Sequence, residues 1–121
     1  MKAIVQDEYG RRADVLELRD IDQPVVEDDE VLVRAHAAGI NIGDWHVMRG
    51  MPYAMRPVFG LRRPKERVPG VDIAGTVEAV GSSVAQFVPG DEVFGWCKGA
   101  FAEYAAASED ALAPKPANLA F

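Results

Sequence analysis

Four polar side chains of different chemistry follow one another over a short stretch of the sequence. The segment NIGDWHVMRG holds Asn41, Asp44 and His46 within six positions, and Tyr53 comes soon after it. Asparagine supplies an amide donor, aspartate an acceptor, histidine a group that titrates near neutral pH, and tyrosine a hydroxyl. Because sites are commonly built on loops held by a rigid scaffold, this cluster is a candidate catalytic site. The alternative is structural: Asn41 and Asp44 are common helix caps, and His46 is then simply an exposed side chain.

A further acid stands out because of its apolar surroundings. Asp72 lies early in the run PGVDIAGTVEAVG of residues 69–81, which is rich in β-branched residues and interrupted by glycines. A carboxylate in such a run is a site residue, a structural carboxylate that holds its neighbours, or a residue on the solvent-facing side of a strand.

Several familiar motifs are missing from the chain. It has no G-x-G-x-x-G, no G-x-x-x-x-G-K-[ST] and no G-x-S-x-G, so it carries neither a phosphate cradle nor a nucleophile elbow of its own. One cysteine, Cys97, and two histidines, His36 and His46, offer no C-x-x-C or H-x-x-x-H spacing, and no metal site is predicted. His36 is interpreted as a packed or surface residue of a strand.

The elements that must position these residues are mainly short strands. Residues 30–40, EVLVRAHAAGI, form the strongest predicted strand, with Val31 and Val33 on one face and Arg34 and His36 on the other. A short helix is expected over 43–50, and a long functional or disordered loop over 51–70. Gly75 predicts a bulge or bend in its strand. Further strands are expected in 2–6, 14–20, 71–81, 82–95 and 99–108, followed by a proline-rich tail over 109–121. This pattern is typical of a small β-barrel or sandwich.

The composition is typical of a globular domain, and the net charge disfavours some classes of binding partner. The chain has 121 residues, of which 49% are hydrophobic and 26% charged, with a formal net charge of −6. The length fits one domain, and the negative charge disfavours nucleic acid and anionic membranes as partners. A lone cysteine, no signal-peptide pattern at the N-terminus and no apolar run of about 18 residues predict a cytoplasmic protein without a membrane span.

Three segments together resemble a known family. They are EVLVRAHAAGINIGDWHVMRG, PGVDIAGTVEAVG and SSVAQFVPGDEVFG, and their order and spacing are similar to those of the N-terminal, GroES-like catalytic domain of medium-chain dehydrogenase/reductases. The resemblance runs from MKAIV to PANLAF. It implies a mainly β fold, a GroES-like partly open β-barrel with one or two short helices, as a single domain over residues 1–121.

The same resemblance separates zinc-dependent from zinc-independent members. Zinc alcohol dehydrogenases have a histidine ligand where this chain has Val71 and a cysteine ligand where it has Asn41. The lobe that holds a structural zinc is also absent, because GDEVFGWCKGAFAEY passes directly from strand to strand. The chain therefore looks like the zinc-independent branch of quinone oxidoreductases and related enone or alkenal reductases. Asp72 is then interpreted as a partly buried structural carboxylate bonded to backbone N–H groups or to an arginine.

The resemblance implies hydride transfer from NADPH to a quinone, activated alkene or carbonyl. Asn41, Asp44, His46 and Tyr53 are the expected catalytic residues, and Asn41 and His46 would also contact the cofactor. Trp45, Tyr53 and Trp96 would line the substrate pocket, although the tryptophans could equally be ordinary packing. The basic run LRRPKER at 61–67 either attracts a phosphate or an acidic substrate or is a solvated loop.

The family's Rossmann domain is absent from this chain, so the 121 residues alone are expected to be inactive and not to bind NADPH. Homo-oligomerisation through the uncovered surface is a further expectation. Two other interpretations stay open. One is a non-enzymatic GroES-like module for binding or oligomerisation, and the other is a degenerate zinc alcohol dehydrogenase domain.

Overall fold

The computed structural model describes all residues from Met1 to Phe121 and contains two antiparallel sheets. The smaller sheet pairs β1 with β2, and the larger has the strand order β6-β3-β4-β5-β7. The strands are β1 (Lys2–Gln6), β2 (Leu16–Asp20), β3 (Glu30–Gly39), β4 (Asp72–Val80), β5 (Glu92–Trp96), β6 (Tyr104–Ser108) and β7 (Leu112–Pro114), and the helices are α1 (Ile42–Arg49) and α2 (Arg56–Phe59). Neither sheet closes on itself, so the expected open, mainly β architecture with two short helices is confirmed.

The core lies on one face of the larger sheet. Val31 and Val33 of β3 are fully buried, and they pack with residues from β4, β5, β6 and β7. Arg34 and His36 on the opposite face are exposed, as the alternation in the sequence predicts. The smaller sheet is attached to the larger one by a bridge between Ala3 and Ala102 and by a hydrogen bond from the Ile4 N–H to the Phe101 carbonyl.

The pairing of β3 with β4 contains the irregularity expected near Gly75. Gly75 pairs with Ala35, whereas Ala74 pairs with Ala37, which leaves His36 as an extra residue on β3. The bulge therefore has its extra residue opposite Gly75 and not at Gly75. His36 uses this position to place Nε2 3.0 Å from the Thr76 hydroxyl.

Three element predictions need correction. The expected loop over 51–70 contains a 3₁₀ turn, Tyr53–Met55, and the helix α2. Pro57 lies in the first turn of α2, where its missing N–H costs no helical hydrogen bond, so the prolines do not exclude a helix here. The strand predicted over 99–108 begins only at Tyr104. The proline-rich tail contributes β7, whose three residues pair with β5 at the edge of the sheet.

No helix of this structure has the length and hydropathy required to cross a membrane.

Candidate functional site

Three reciprocal side-chain hydrogen bonds between Asn41 and the first turn cap the start of α1. The Asn41 Oδ1 accepts from the N–H groups of Gly43 and Asp44 at 3.0 and 3.3 Å. In return, the Asp44 Oδ2 accepts from the Asn41 N–H at 3.0 Å. This capping box satisfies donors that have no partner inside the helix. The structural interpretation of Asn41 and Asp44 as helix caps is therefore correct for both residues.

The amide nitrogen of the Asn41 side chain forms a hydrogen bond with Asp72. The Asn41 Nδ2 donates to the Asp72 Oδ2 at 3.0 Å, across 31 positions of sequence. Asp72 begins β4, where it pairs with Gly39 on one side and with Trp96 on the other. The expectation that Asp72 is structural is supported, but two details were wrong. The residue is exposed, and its partner is a side-chain amide instead of a backbone N–H or an arginine.

This arrangement sets which atoms of Asn41 are free for a ligand. Its oxygen is taken up by the helix cap, and one of its two amide hydrogens points to Asp72. The second amide hydrogen remains as a donor in a fixed position. Asn41 can therefore donate one hydrogen bond to a ligand oxygen without any rearrangement of the helix.

His46 offers a second unused polar atom on α1. Its Nδ1 is buried and has no hydrogen-bond partner within the chain. Its ring lies beside Trp45, with the ring centroids 5.2 Å apart. Buried polar atoms without partners are rare in folded proteins, so this nitrogen is a candidate partner for a bound water molecule.

Tyr53 lies beyond α1 on the surface. Its side chain is exposed, and its hydroxyl takes no part in the hydrogen bonds within the chain. The Arg56 guanidinium lies over the ring, 4.6 Å from the centroid, and its Nε donates to the Gly50 carbonyl at 2.9 Å. Arg56 therefore ties the ring of Tyr53 to the end of α1 through a cation–π contact.

The two tryptophans occupy different elements, and both are exposed. Trp45 lies on α1 under the guanidinium of Arg49, 4.1 Å from its ring centroid. Trp96 ends β5 and pairs with Asp72. Their expected role in a substrate pocket stays a prediction.

An apolar cleft of about 380 Å³ lies beside α1. Val47 of α1, Val58 and Phe59 of α2, and Val68 and Val71 of the segment before β4 supply its apolar wall. Charged side chains are found at its border, including Asp44 and the Lys98–Glu66 ion pair at 3.3 Å. Its size and lining are typical of small-molecule sites.

Of the four predicted catalytic residues, Asp44 lines this cleft, whereas Asn41, His46 and Tyr53 are not among its lining residues. The hydrogen bonds bring Asn41, Asp44 and Asp72 together; none of them reaches His46 or Tyr53. Sequence reasoning missed Val58 and Phe59, because the segment that carries them was interpreted as a loop. Their apolar character within a proline-rich, basic segment was the available signal.

Cys97 lies close to the site, but its thiol is unreactive near neutral pH. It is buried in the core, and its N–H donates to the Val71 carbonyl at 2.8 Å. Burial, followed by the neighbouring Asp72 carboxylate, raises the pKa of Cys97 to about 11. The thiol is therefore protonated near neutral pH and is a poor nucleophile.

Comparison with known proteins identifies the family. Residues 27–117 match the model of the alcohol dehydrogenase GroES-like domain. The whole chain is 37% identical over 124 residues to a quinone oxidoreductase of Sus scrofa, of which it covers 35%. It is also 37% identical to a chloroplastic NADPH-dependent alkenal/one oxidoreductase of Arabidopsis thaliana, of which it covers 32%.

Solved structures give the same result. The whole chain superposes on the quinone oxidoreductase of Coxiella burnetii with a TM-score of 0.86 and 31% identity, covering 38% of that protein. For the quinone oxidoreductase of Escherichia coli, solved with NADPH, the TM-score is 0.83 and the identity 25%, with 35% of that protein covered. The chain thus spans about a third of the relatives it matches. It belongs to the alcohol dehydrogenase GroES-like domain family and corresponds to the N-terminal part of quinone oxidoreductase-like medium-chain dehydrogenase/reductases.

Proposed function

We propose that this chain is the substrate-side part of an NADPH-dependent, zinc-free reductase of quinones, activated alkenes or carbonyls. The observation that carries the proposal is the Asn41 amide. Asp72 and the cap of α1 hold it in place while one of its donors stays free, and the cleft lies on the same helix. The quinone oxidoreductases among the relatives make a hydride-transfer reaction the best-supported chemistry for such a site.

The residues present fit the nicotinamide end of a cofactor better than its phosphate end. The free Asn41 amide hydrogen offers a contact to a polar planar group, whereas the proposed contact of His46 requires its buried Nδ1 to become accessible. No glycine-rich turn is available for a pyrophosphate, so that part of the cofactor requires a second, Rossmann-type domain. Bound NADPH supplies the hydride, and the 121 residues alone are expected to bind it too weakly for turnover.

The chain's own residues would orient the substrate and stabilise developing negative charge. Asn41 donates a hydrogen bond to an oxygen of the substrate or cofactor, and the free hydroxyl of Tyr53 supplies a second donor. Asp44 acts through Asn41, because its carboxylate holds the backbone of that residue. Trp45 and Trp96 offer flat apolar surfaces to a quinone or enone. No covalent intermediate with the protein is required.

The zinc-free part of the proposal depends on the identity of two side chains. Asn41 and Val71 replace the cysteine and histidine that the resemblance to zinc alcohol dehydrogenases would require at these positions. No three His, Cys, Asp or Glu side chains converge on one point of the structure. Both observations favour the reductase over the degenerate zinc dehydrogenase. The organised Asn41 amide favours it over a module used only for binding or oligomerisation.

Partners and location follow as parts of the same proposal. The protein would act in the cytoplasm on small molecules, together with a cofactor domain. Exposed apolar side chains such as Phe94 would support homo-oligomerisation. Neither nucleic acid nor a membrane is proposed as a partner.

The gene region that follows the Phe121 codon provides the first test. A continuing reading frame with G-x-G-x-x-G or G-x-G-x-x-A after a predicted strand is the expected result. The same frame without a dinucleotide-binding unit would contradict the reductase.

Kinetics on the resulting polypeptide provide the second test. Asn41→Ala and Tyr53→Phe are each expected to lower kcat/KM for quinone reduction, by about 100-fold where the lost donor meets a developing oxyanion. His36→Ala is the control, because His36 bonds to Thr76 on the outer sheet face and is expected to leave the rate unchanged. Unchanged kinetics in both site variants would refute the assigned roles.

A further inference from the structure

A concave surface with an excess of positive charge lies apart from the Asn41 amide. We call it the basic concavity. Its volume is about 870 Å³, and it is lined by Asp7, Gly60, Leu61, Arg62, Arg63, Pro64, Lys65 and Arg67. Four cations and one acid thus line one depression in a chain whose net charge is −6. A concave surface with such an excess of positive charge attracts anions, although the whole chain is negatively charged.

Some of the cations that line the basic concavity already form ion pairs with carboxylates of the chain, and others do not. Arg67 is paired with Asp7 at 2.8 Å, and the same carboxylate accepts from Arg19 at 2.7 Å. These two arginines, Arg19 first, lower the pKa of Asp7, so it stays ionised and bound to them. Arg62 and Arg63 are exposed and form no ion pair or side-chain hydrogen bond within the chain. Their charges are therefore available to a ligand.

The segment that carries Arg62 and Arg63 is held in a defined shape. Gly60 has φ of +126°, and a Cβ at this position would lie 1.9 Å from the Arg63 carbonyl oxygen, so the chain turns back tightly here. The Lys65 N–H donates to the Phe59 carbonyl at 2.7 Å, which closes the turn. Pro64 is buried between the exposed cations.

Two side chains from outside the turn anchor it to the rest of the protein. The Tyr9 hydroxyl donates to the Gly60 carbonyl at 2.6 Å, and the Arg56 Nη1 donates to the Leu61 carbonyl at 3.3 Å. The turn therefore presents its cations from a fixed backbone, which lowers the entropy that a ligand must overcome on binding.

We propose that the basic concavity is a binding site for the phosphate group of a small molecule, with Arg62 and Arg63 as the contacting residues. Guanidinium groups bind phosphate oxygens in a bidentate manner, which favours phosphate over a simple halide. The overall negative charge disfavours a nucleic acid, whose many phosphates would be repelled elsewhere on the surface. Pro64 and Lys65 line both the basic concavity and the apolar cleft, so one ligand can place an apolar part in the cleft and its phosphate on the arginines.

Titration of the 121-residue chain with inorganic pyrophosphate, followed by two-dimensional NMR of the backbone amides, tests the site without any requirement for enzymatic turnover. The amides of residues 60–67 are expected to shift in a saturable manner, whereas potassium chloride at equal ionic strength leaves them in place. Arg62→Gln/Arg63→Gln is expected to weaken binding about tenfold or more, because hydrogen bonds to charged groups are the strong ones. Shifts spread over the whole surface, or no saturation, would overturn the proposal.

A matched double variant separates local contacts from net charge. Arg11 and Arg34 are also exposed and do not line the basic concavity, so Arg11→Gln/Arg34→Gln removes the same charge elsewhere. This variant is expected to change the affinity less than twofold at moderate salt. An equal loss in both double variants would mean diffuse electrostatic attraction and would refute the site. The amide shifts of the unmodified chain locate the site even if a variant fails to fold.

Discussion

At the scale of single residues, Asn41 joins two parts of the fold through one side chain. Its oxygen closes the start of α1, and its nitrogen bonds to Asp72 at the start of β4. A serine would keep the first contact and lose the second, whereas an alanine would lose both. The two roles can therefore be separated by substitution.

Asn41→Ala is expected to destabilise the chain by about 1 kcal/mol or somewhat more, because an N-cap of this kind contributes about 0.5–2 kcal/mol. Asn41→Ser is expected to retain most of that stability, since serine caps helices nearly as well as asparagine. Urea unfolding followed by circular dichroism measures both free energies. Equal midpoints for the native chain and the alanine variant would show that the cap contributes nothing to stability.

Cys97 provides a second prediction at this scale. Its pKa is raised to about 11 from an ordinary value of 9.0, mainly by burial. At pH 8 the thiolate fraction is then about 100-fold lower than in the unfolded chain. The reaction with an aromatic disulfide reagent is expected to be slower by at least this factor in the native state. The chain in denaturant is the internal control, because it has only one cysteine.

The same shift gives a direction for stability against pH. A thiol whose folded-state pKa is raised contributes its full stabilisation below the unfolded pKa, near 9, and loses it as the pH rises toward 11. The free energy of unfolding is therefore expected to fall over this interval. Cys97→Ala should show a shallower decline over the same interval, and an identical slope would contradict the contribution of the thiol.

At the scale of elements, the β3–β4 pair determines where the site residues meet. Ala38 pairs with Ile73 and Gly39 with Asp72, which places the end of β3 and Asn41 beside the start of β4. Two irregularities lie within this pair: Glu78 is an extra residue on β4, and His36 is an extra residue on β3 that restores the original offset between the strands. The contact between Asn41 and Asp72 thus depends on two compensating irregularities several residues away.

Gly75→Ala is expected to disrupt this pair strongly. A Cβ at position 75 would lie 2.1 Å from the Arg34 carbonyl oxygen and 2.9 Å from the Val33 Cγ1, so the strands would have to separate. A destabilisation of about 3 kcal/mol is expected, at the upper end of overpacking costs. Thermal or chemical unfolding measures it.

Gly90→Ala is the matched control. Gly90 has φ of +97° but nothing within 4 Å of an added Cβ, so only backbone strain opposes the change. A cost of about 1–2 kcal/mol is expected there. If Gly75→Ala cost less than this control, the close approach of β3 and β4 would not limit the residue at position 75.

At the scale of the whole molecule, charge and apolar surface are unevenly distributed. The basic concavity lies on a chain with an excess of acids, and large side chains such as Phe94, Trp96 and Ile40 stay exposed. Phe121 covers one position of the outer sheet face, where its ring stacks on His36 at 4.4 Å.

Metal content is a property of the whole chain that the zinc-free proposal predicts. After incubation with zinc and dialysis, mass spectrometry is expected to find far less than one equivalent bound, because Asn41 and Val71 are not zinc ligands. A zinc-dependent dehydrogenase taken through the same dialysis is the control. A full, tetrahedrally coordinated equivalent in this chain would contradict the proposal.

The sequence by itself determined the features that depend on near neighbours along the chain. Alternation in residues 30–40 predicts β3 and its two faces, and the residue types of Asn41 and Asp44 suggest the helix cap as one of two interpretations. The ordered motifs predict the family and the open β fold. The family and the open β fold are what the resemblance implies, whereas β3 and the helix cap involve groups within one strand or one turn, so local geometry alone limits their arrangement.

Only the tertiary structure decided which distant groups meet. The Asn41–Asp72 bond joins residues 31 positions apart, and it forms where the register of β3 against β4 brings Gly39 opposite Asp72. The apolar cleft, the burial of Cys97 and the fixed turn beneath Arg62 and Arg63 likewise combine segments that are separate in sequence. Residue types do not encode such contacts, because a one-residue change of register moves every side chain of a strand to the opposite face.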